Sequence, residues 1–110
     1  MPLLERVRIT VYLPDPHVAE YNDLLRLFEH ELTYAFGGCT ILRGLEGNYL
    51  SRRGDRIVDR INLIYSDVSL LLSMDSALVT RYADALKRAV TDELTEEEVL
   101  VTVAQIYHVV

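Results

Sequence analysis

Residues 37–60, GGCTILRGLEGNYLSRRGDRIVDR, hold all five glycines of the chain and five of its eleven basic side chains. Gly37-Gly38 supplies the left-handed backbone that closes a preceding helix. Cys39–Arg43 can then form a strand. Gly47-Asn48 and Arg53-Gly54-Asp55 are turn-forming clusters, so 44–55 reads as a long hairpin connection into a further strand from about Arg56 to Tyr65. Arg43, Arg52, Arg53, Arg56 and Arg60 against Glu46, Asp55 and Asp59 leave the segment at +2, while the other residues carry −8 of the net −6. The segment is therefore both the hairpin of the fold and a local electropositive site on an acidic chain.

Upstream, Val18, Tyr21, Leu25, Phe28, Leu32 and Ala35 recur at spacings of three and four and predict a helix, with charged residues mostly on its other faces. Asp15 as N-cap and Pro16 at the first helical position start it. Before that, Val7, Ile9, Val11 and Leu13 alternate with Arg8, Thr10 and Tyr12, the period of a half-buried strand, which Pro14 stops. Downstream, Ser66–Met74 reads as a connection whose leucines, Leu70 to Leu72, must be tucked against something. A second helix follows, capped by Asp75 or Ser76, with Leu78, Tyr82, Ala85, Leu86, Ala89 and Val90 as its stripe and Lys87 and Arg88 near its C-terminal end. The acidic run 92–98 reads as a solvated loop, and 99–110 as a last, β-branched strand.

The order β-α-β-β-α-β predicts one α+β domain over 1–110. Its expected form is a ferredoxin-like two-layer sandwich, a four-stranded antiparallel sheet with two helices on one face and strands one and three in the middle. The helix side is expected to carry Val7, Ile9, Val11, Leu13, Ile61 and Leu63. The open side is expected to carry Arg8, Thr10, Tyr12, Arg60, Asn62 and Ile64, together with Leu100, Thr102, Ala104, Ile106 and His108. So much apolar area on a small domain calls for cover, and association into a homo-oligomer, a dimer or a trimer, is the simplest.

A length of 110 residues, half of them hydrophobic and a quarter charged, is globular composition for one core. A net charge of −6 argues against nucleic-acid or anionic-membrane partners. The start lacks a signal pattern and no apolar run approaches spanning length, so the expectation is a soluble cytoplasmic protein. Cys39 alone makes no internal disulfide, and with three scattered histidines it makes no metal-site spacing. No cofactor is implied.

Two constellations carry chemistry. Arg43, Arg52, Arg53, Arg56 and Arg60, with Tyr49 on the same hairpin, offer guanidinium forks and glycine-flanked amides suited to carboxylates or phosphates. The plainer alternative is solvated arginines paired with nearby acids. No Walker loop or GxGxxG strengthens nucleotide binding. Arg8, Tyr12, Arg60, Asn62 and His108 form the second set, either a proton-transfer pocket or a subunit interface with its polar groups satisfied across copies. His17 and His30 read as surface residues and Cys39 as a small packed side chain. The leading expectation is a non-enzymatic oligomeric module binding a small anionic metabolite or a protein partner through the 43–60 hairpin. A cofactor-independent small-molecule enzyme working on the open face is the alternative.

With the order βαββαβ, the Gly38-Cys39-Thr40 entry into strand two and the glycine- and arginine-bearing connection from Gly44 to Arg56, the chain resembles small ferredoxin-like bacterial proteins. Within them it is similar to the nitrogen-regulatory PII-like group. That resemblance covers most of the chain in topology. It implies a trimer, a partner-binding connection between strands two and three, and nucleotide-binding subunit clefts. The connection here is short, and acidic 92–98 stands where the group has a glycine- and lysine-bearing segment that helps bind phosphates. The resemblance therefore implies the assembly more than the nucleotide.

Overall fold

The computed structural model describes residues 3–14, 19–94 and 99–109; Asp15, Pro16, His17 and Val18, with the helix start assigned to them, and most of the acidic run lie outside these. The element order is β1 (Leu3–Pro14), α1 (Ala19–Phe36), β2 (Thr40–Leu50), β3 (Arg56–Val68), α2 (Leu72–Leu94) and β4 (Leu100–Val109). One antiparallel sheet has the strand order β2-β3-β1-β4, so β1 and β3 are central as the right-handed crossovers require.

Packing follows the alternation of β1. Val7, Ile9, Val11 and Leu13 are almost wholly buried and meet Tyr21, Leu24, Leu25, Phe28 and Leu32 of α1 and Val79 and Val90 of α2. α1 ends at Gly37, whose φ of +89° is open to glycine at little cost and whose N–H donates to the Thr33 carbonyl at 2.8 Å. The leucines after β3 are half-buried, and Leu70 and Leu72 pack against the cluster of Val7, Ile9, Val68 and Val79.

Four expectations are corrected. β3 presents the opposite face from the one assigned. Its register sets Ile64 opposite Val11 and Asn62 opposite Leu13, and directly opposed residues share a face. Ile64 and Asn62 are therefore buried beneath the helices, at 1% and 2% exposure, and Ile61 and Leu63 lie on the open side. Both phases of β3 are apolar, so alternation within it could not choose between them. Arg60 likewise moves to the helix side, opposite Glu46.

The second correction concerns the hairpin. Thr40–Leu50 is strand along most of the expected loop, interrupted by a bulge between Leu42 and Leu45, and Gly47-Asn48 lies within the ladder opposite Asp59 and Val58. Thirdly, β3 runs on to Val68 and α2 opens at Leu72, with non-helical Asp75 (φ −112°, ψ 18°) at a kink. The Asp75 carboxylate accepts from the Leu71 N–H at 2.8 Å, so it reaches back to the start of α2 instead of capping a helix that begins at Asp75 or Ser76. Fourthly, the buried line of α2 is Val79, Ala83, Leu86 and Val90, while Tyr82, Ala85 and Ala89 turn toward α1.

A hydrogen-bonded chain crosses the interior at the β2 bulge. Gly44, with φ +69°, donates its N–H to Asn62 Oδ1 at 2.9 Å. Asn62 Nδ2 donates to the Tyr21 hydroxyl at 3.0 Å, and that hydroxyl donates to the Leu13 carbonyl at 3.5 Å. A polar group left unpaired in such a place costs about 1–3 kcal/mol. Asn62→Ala, which strips Gly44 of its acceptor, should lower unfolding stability in urea by that amount, and Tyr21→Phe by about 1 kcal/mol. An unchanged Asn62→Ala midpoint would mean that the bulge is held by something else.

Candidate functional site: the arm and the open sheet face

β1 has its last partner on β3 at Ile61, opposite Pro14. Beyond that point β2 and β3 have no other strand partner among the described residues, and the ribbon from Arg56 to Arg60 continues for about 16 Å at the rise of a strand. This arm helps give the molecule its 46 × 31 × 25 Å extents and a radius of gyration of 15.3 Å, where about 13 Å is usual for this length.

The arm is closed by a tight turn. Ser51 accepts from Gly54 N–H at 3.0 Å through its carbonyl, and its Oγ accepts from Arg53 N–H at 3.2 Å and Asp55 N–H at 3.1 Å. Gly54 takes a φ of +82°, the left-handed position of a three-residue hairpin loop, where a side chain would be strained. Arg52 and Arg53 thus stand at the apex, exposed. Arg56 is steadied by Asn48 Oδ1, which accepts from its Nε at 3.3 Å and its Nη2 at 2.9 Å. Tyr49 donates its hydroxyl to Asp59 across the ribbon, so it ties the arm together. Among the described residues Arg43, Arg52, Arg53 and Arg60 have no ion pair.

The second constellation is split between two faces. Arg8, Tyr12 and His108 lie on the open side as expected; Asn62 and Arg60 do not. The five groups therefore do not converge on one proton-transfer pocket. What gathers instead is a cluster centred on Asp67, a residue not singled out in the sequence. Arg8 grips it with both arms of the guanidinium, Nε to Oδ1 at 2.8 Å and Nη2 to Oδ2 at 3.0 Å. The same guanidinium lies 4.2 Å from the ring centre of Tyr65. Hydrogen bonding to Asp67 holds the Arg8 pKa above its ordinary value, against the smaller opposing effect of burial. His108 Nε2 is 3.8 Å from Asp67 Oδ2, buried and without a hydrogen bond. Arg6 completes the group by donating to Ser69. A signal was present: Arg6 and Arg8 share the outward phase of β1, but the acid that Arg8 holds lies 59 residues downstream.

Two clefts were not legible in the sequence. One, about 410 Å³, runs between the helices and is lined by Leu27, Phe28, Phe36, Tyr82, Leu86 and neighbouring small residues. The other, about 320 Å³, lies where Gly37–Thr40 meets Tyr65–Asp67, with Ser66 Oγ donating to the Gly38 carbonyl at 2.7 Å. Cys39 lines the second, its Sγ 3.8 Å from the Glu29 carbonyl and from Thr33 Oγ1, which fits a packed side chain. His30 is exposed and stacked on Tyr34 with ring centres 4.4 Å apart.

No protein-family model matches the chain, and a search of curated proteins found no match. Among solved structures, CPII, a nitrogen regulatory PII-like protein from Thiomonas intermedia K12, matches 98% of this chain and 99% of its own. The TM-score is 0.56 and the identity 17%, and that protein was solved bound to ADP, AMP and bicarbonate. At this identity the likeness is one of fold, and the topological similarity to the PII-like group read from the sequence holds over the whole chain. No described helix is long and apolar enough to cross a membrane.

The Arg8–Asp67 pair should behave as a two-pronged but partly wet bridge, since the Arg8 side chain is 36% exposed and that of Asp67 20%. A double-mutant cycle of Arg8→Ala and Asp67→Ala, read by urea unfolding, should return a coupling of up to about 1 kcal/mol. Arg8→Lys, which keeps the charge but loses the fork, should recover less than half of it.

Proposed function

We propose that this chain is a non-enzymatic, PII-like ligand-binding module that acts as a homo-oligomer and recognises a small anionic metabolite or an acidic protein surface through the arm. One observation carries the reading: on a protein of net charge −6, the projecting ribbon places Arg52 and Arg53 at its apex with no ion pair among the described residues. Cations held clear of the body's own acids can meet an anion without first giving up an internal partner. The fold likeness to CPII supports the same reading, since the ADP, AMP and bicarbonate bound by that protein are all anions.

Oligomerisation is supported by the open face. Ile61 and Leu63 join Tyr12, Tyr65, Leu100 and Ile106 on it, which makes it more apolar than the alternation of β3 suggested. Among the described residues no helix covers it, and a patch of that kind on a small domain calls for a second surface. Copies packed face to face would enclose the Arg8–Asp67–His108 cluster and supply partners across the interface.

A thermal-shift panel of adenine nucleotides, bicarbonate, phosphorylated metabolites and carboxylates should find an anion that stabilises the wild type. At a hundred times its Kd a ligand adds about 2.7 kcal/mol, a rise in Tm on the order of 10 °C for a domain of this size. The double variant Arg52→Ala, Arg53→Ala should fold with a near-normal Tm, because both side chains are exposed, and should lose the shift. An equal shift in the variant would remove the arm from ligand binding. No shift with any anion would leave an acidic protein surface as its target. Separately, Leu63→Glu should reduce the mass seen by light scattering to that of a smaller species; an unchanged mass would remove the open face as the interface.

A further inference from the structure

The two edges of the sheet are built differently. β2 is interrupted by the Leu42/Leu45 bulge, contains Gly44 and Gly47, and carries Arg43 and Glu46. These are features with which natural sheets discourage a further strand from adding. β4 has none of them. Leu100–Val109, LVTVAQIYHV, contains no charged residue, no proline and no glycine, and it pairs with β1 in unbroken register from Leu3↔Val109 to Tyr12↔Leu100. Among the described residues no strand lies beyond it in the sheet. One side of a ten-residue ladder of N–H and C=O groups is left without a strand partner, and Leu100, Tyr107 and Val109 along it are 55%, 58% and 67% exposed. In a chain that is one quarter charged, an edge this long and this neutral is shaped for pairing.

We infer that β4 is a strand-pairing surface whose occupant is the β4 of a second copy, antiparallel across a two-fold axis. Charge selects that occupant. A strand paired with itself in antiparallel sense sets each side chain against others from the same short list, so any cluster of like charges would oppose itself. β4 offers no such conflict, whereas two copies of this acidic protein repel one another over most of the remaining surface. Antiparallel pairing keeps each face to itself, Leu100 with Ile106 and His108 on the open side and Val101 and Val103 with Tyr107 and Val109 on the helix side, so apolar side chains of the two copies meet on both faces of the joint. The result is one continuous eight-stranded sheet with the helices of both copies on the same side. This joint uses the edge of the sheet and leaves the open face free, so it stands independently of the function proposed above.

Hydrogen exchange read by mass spectrometry over β4 tests the inference, because successive amides of a strand point to opposite sides. β1 alone can protect about half of them. In the associated wild type nearly all the amides of 100–109 should be protected, falling to about half on dilution to the monomer. Gln105→Lys with Tyr107→Lys, both exposed positions, should keep the folded circular-dichroism spectrum, lose the extra protection and halve the mass of the edge-joined species. Leu63→Glu leaves the edge bare and should keep the extra protection; so should Arg52→Ala, Arg53→Ala. A protein that stays monomeric at every concentration overturns the inference, as does an oligomer in which only half the β4 amides are protected. Extra protection appearing in 40–50 as well would mark a head-to-tail joint with β2 and overturn the symmetric pairing. If Gln105→Lys, Tyr107→Lys fails to fold, the dilution series on the wild type still decides between these outcomes.

Discussion

The chain Gly44–Asn62–Tyr21–Leu13 ties together the first four elements, β1, α1, β2 and β3. Asn62 lies beneath the helices at 2% exposure, where an amide is tolerated only when both ends of it are bonded. Its oxygen takes the one backbone N–H that the β2 bulge turns inward, and its nitrogen takes the hydroxyl of the first turn of α1. The bulge, the register of β3 and the seating of α1 therefore depend on one another. Sliding β3 by one residue would bring an apolar side chain to the bulge, orphan Gly44 N–H and expose Asn62 to the other face, so the polar group specifies the register more sharply than the aliphatic residues around it can.

The arm follows from that constraint. With β3 held so that Ile61 meets Pro14, everything from Arg56 to Arg60 lies past the end of β1 and has β2 as its sole strand neighbour. A two-stranded ribbon is marginal by itself, and the Tyr49–Asp59 and Arg56–Asn48 contacts, with the Ser51 turn, are what it has in place of a core. Charge is distributed to match: arginines at the apex, acids over the body. The arginine apex is then separated in space from the open face and from the β4 edge.

Much of this was written in local pattern. The alternation of Val7 to Leu13 names a strand and its buried face, because Arg8, Thr10 and Tyr12 leave only one phase apolar. Gly37-Gly38 marks the end of α1, since few other residues tolerate a φ of +89°. The arginine-rich segment was visible as charge, and Arg53-Gly54-Asp55 as a turn. Where pattern failed, two readings were locally equal. Ile57, Ile61 and Leu63 on one phase of β3 and Val58, Ile64 and Val68 on the other are equally apolar. Gly47-Asn48 has turn chemistry, yet it is drawn into the ladder by pairing with Asp59 and Val58. The apolar arc of α2 is wide enough to serve both the sheet and the cleft toward α1, so its stripe could not show which edge was buried.

Local sequence thus determined the element order, the α+β class, the core face of β1 and the presence of a cationic hairpin, each a property of residues a few positions apart acting through backbone stereochemistry and side-chain periodicity. Tertiary structure alone decided which face of β3 is buried, that most of the expected loop is strand, that Arg8 closes on Asp67 and that β4 ends as a bare edge. Those outcomes rest on partners tens of residues away, and they are set by the requirement that every buried polar group find a bond while the apolar faces close together.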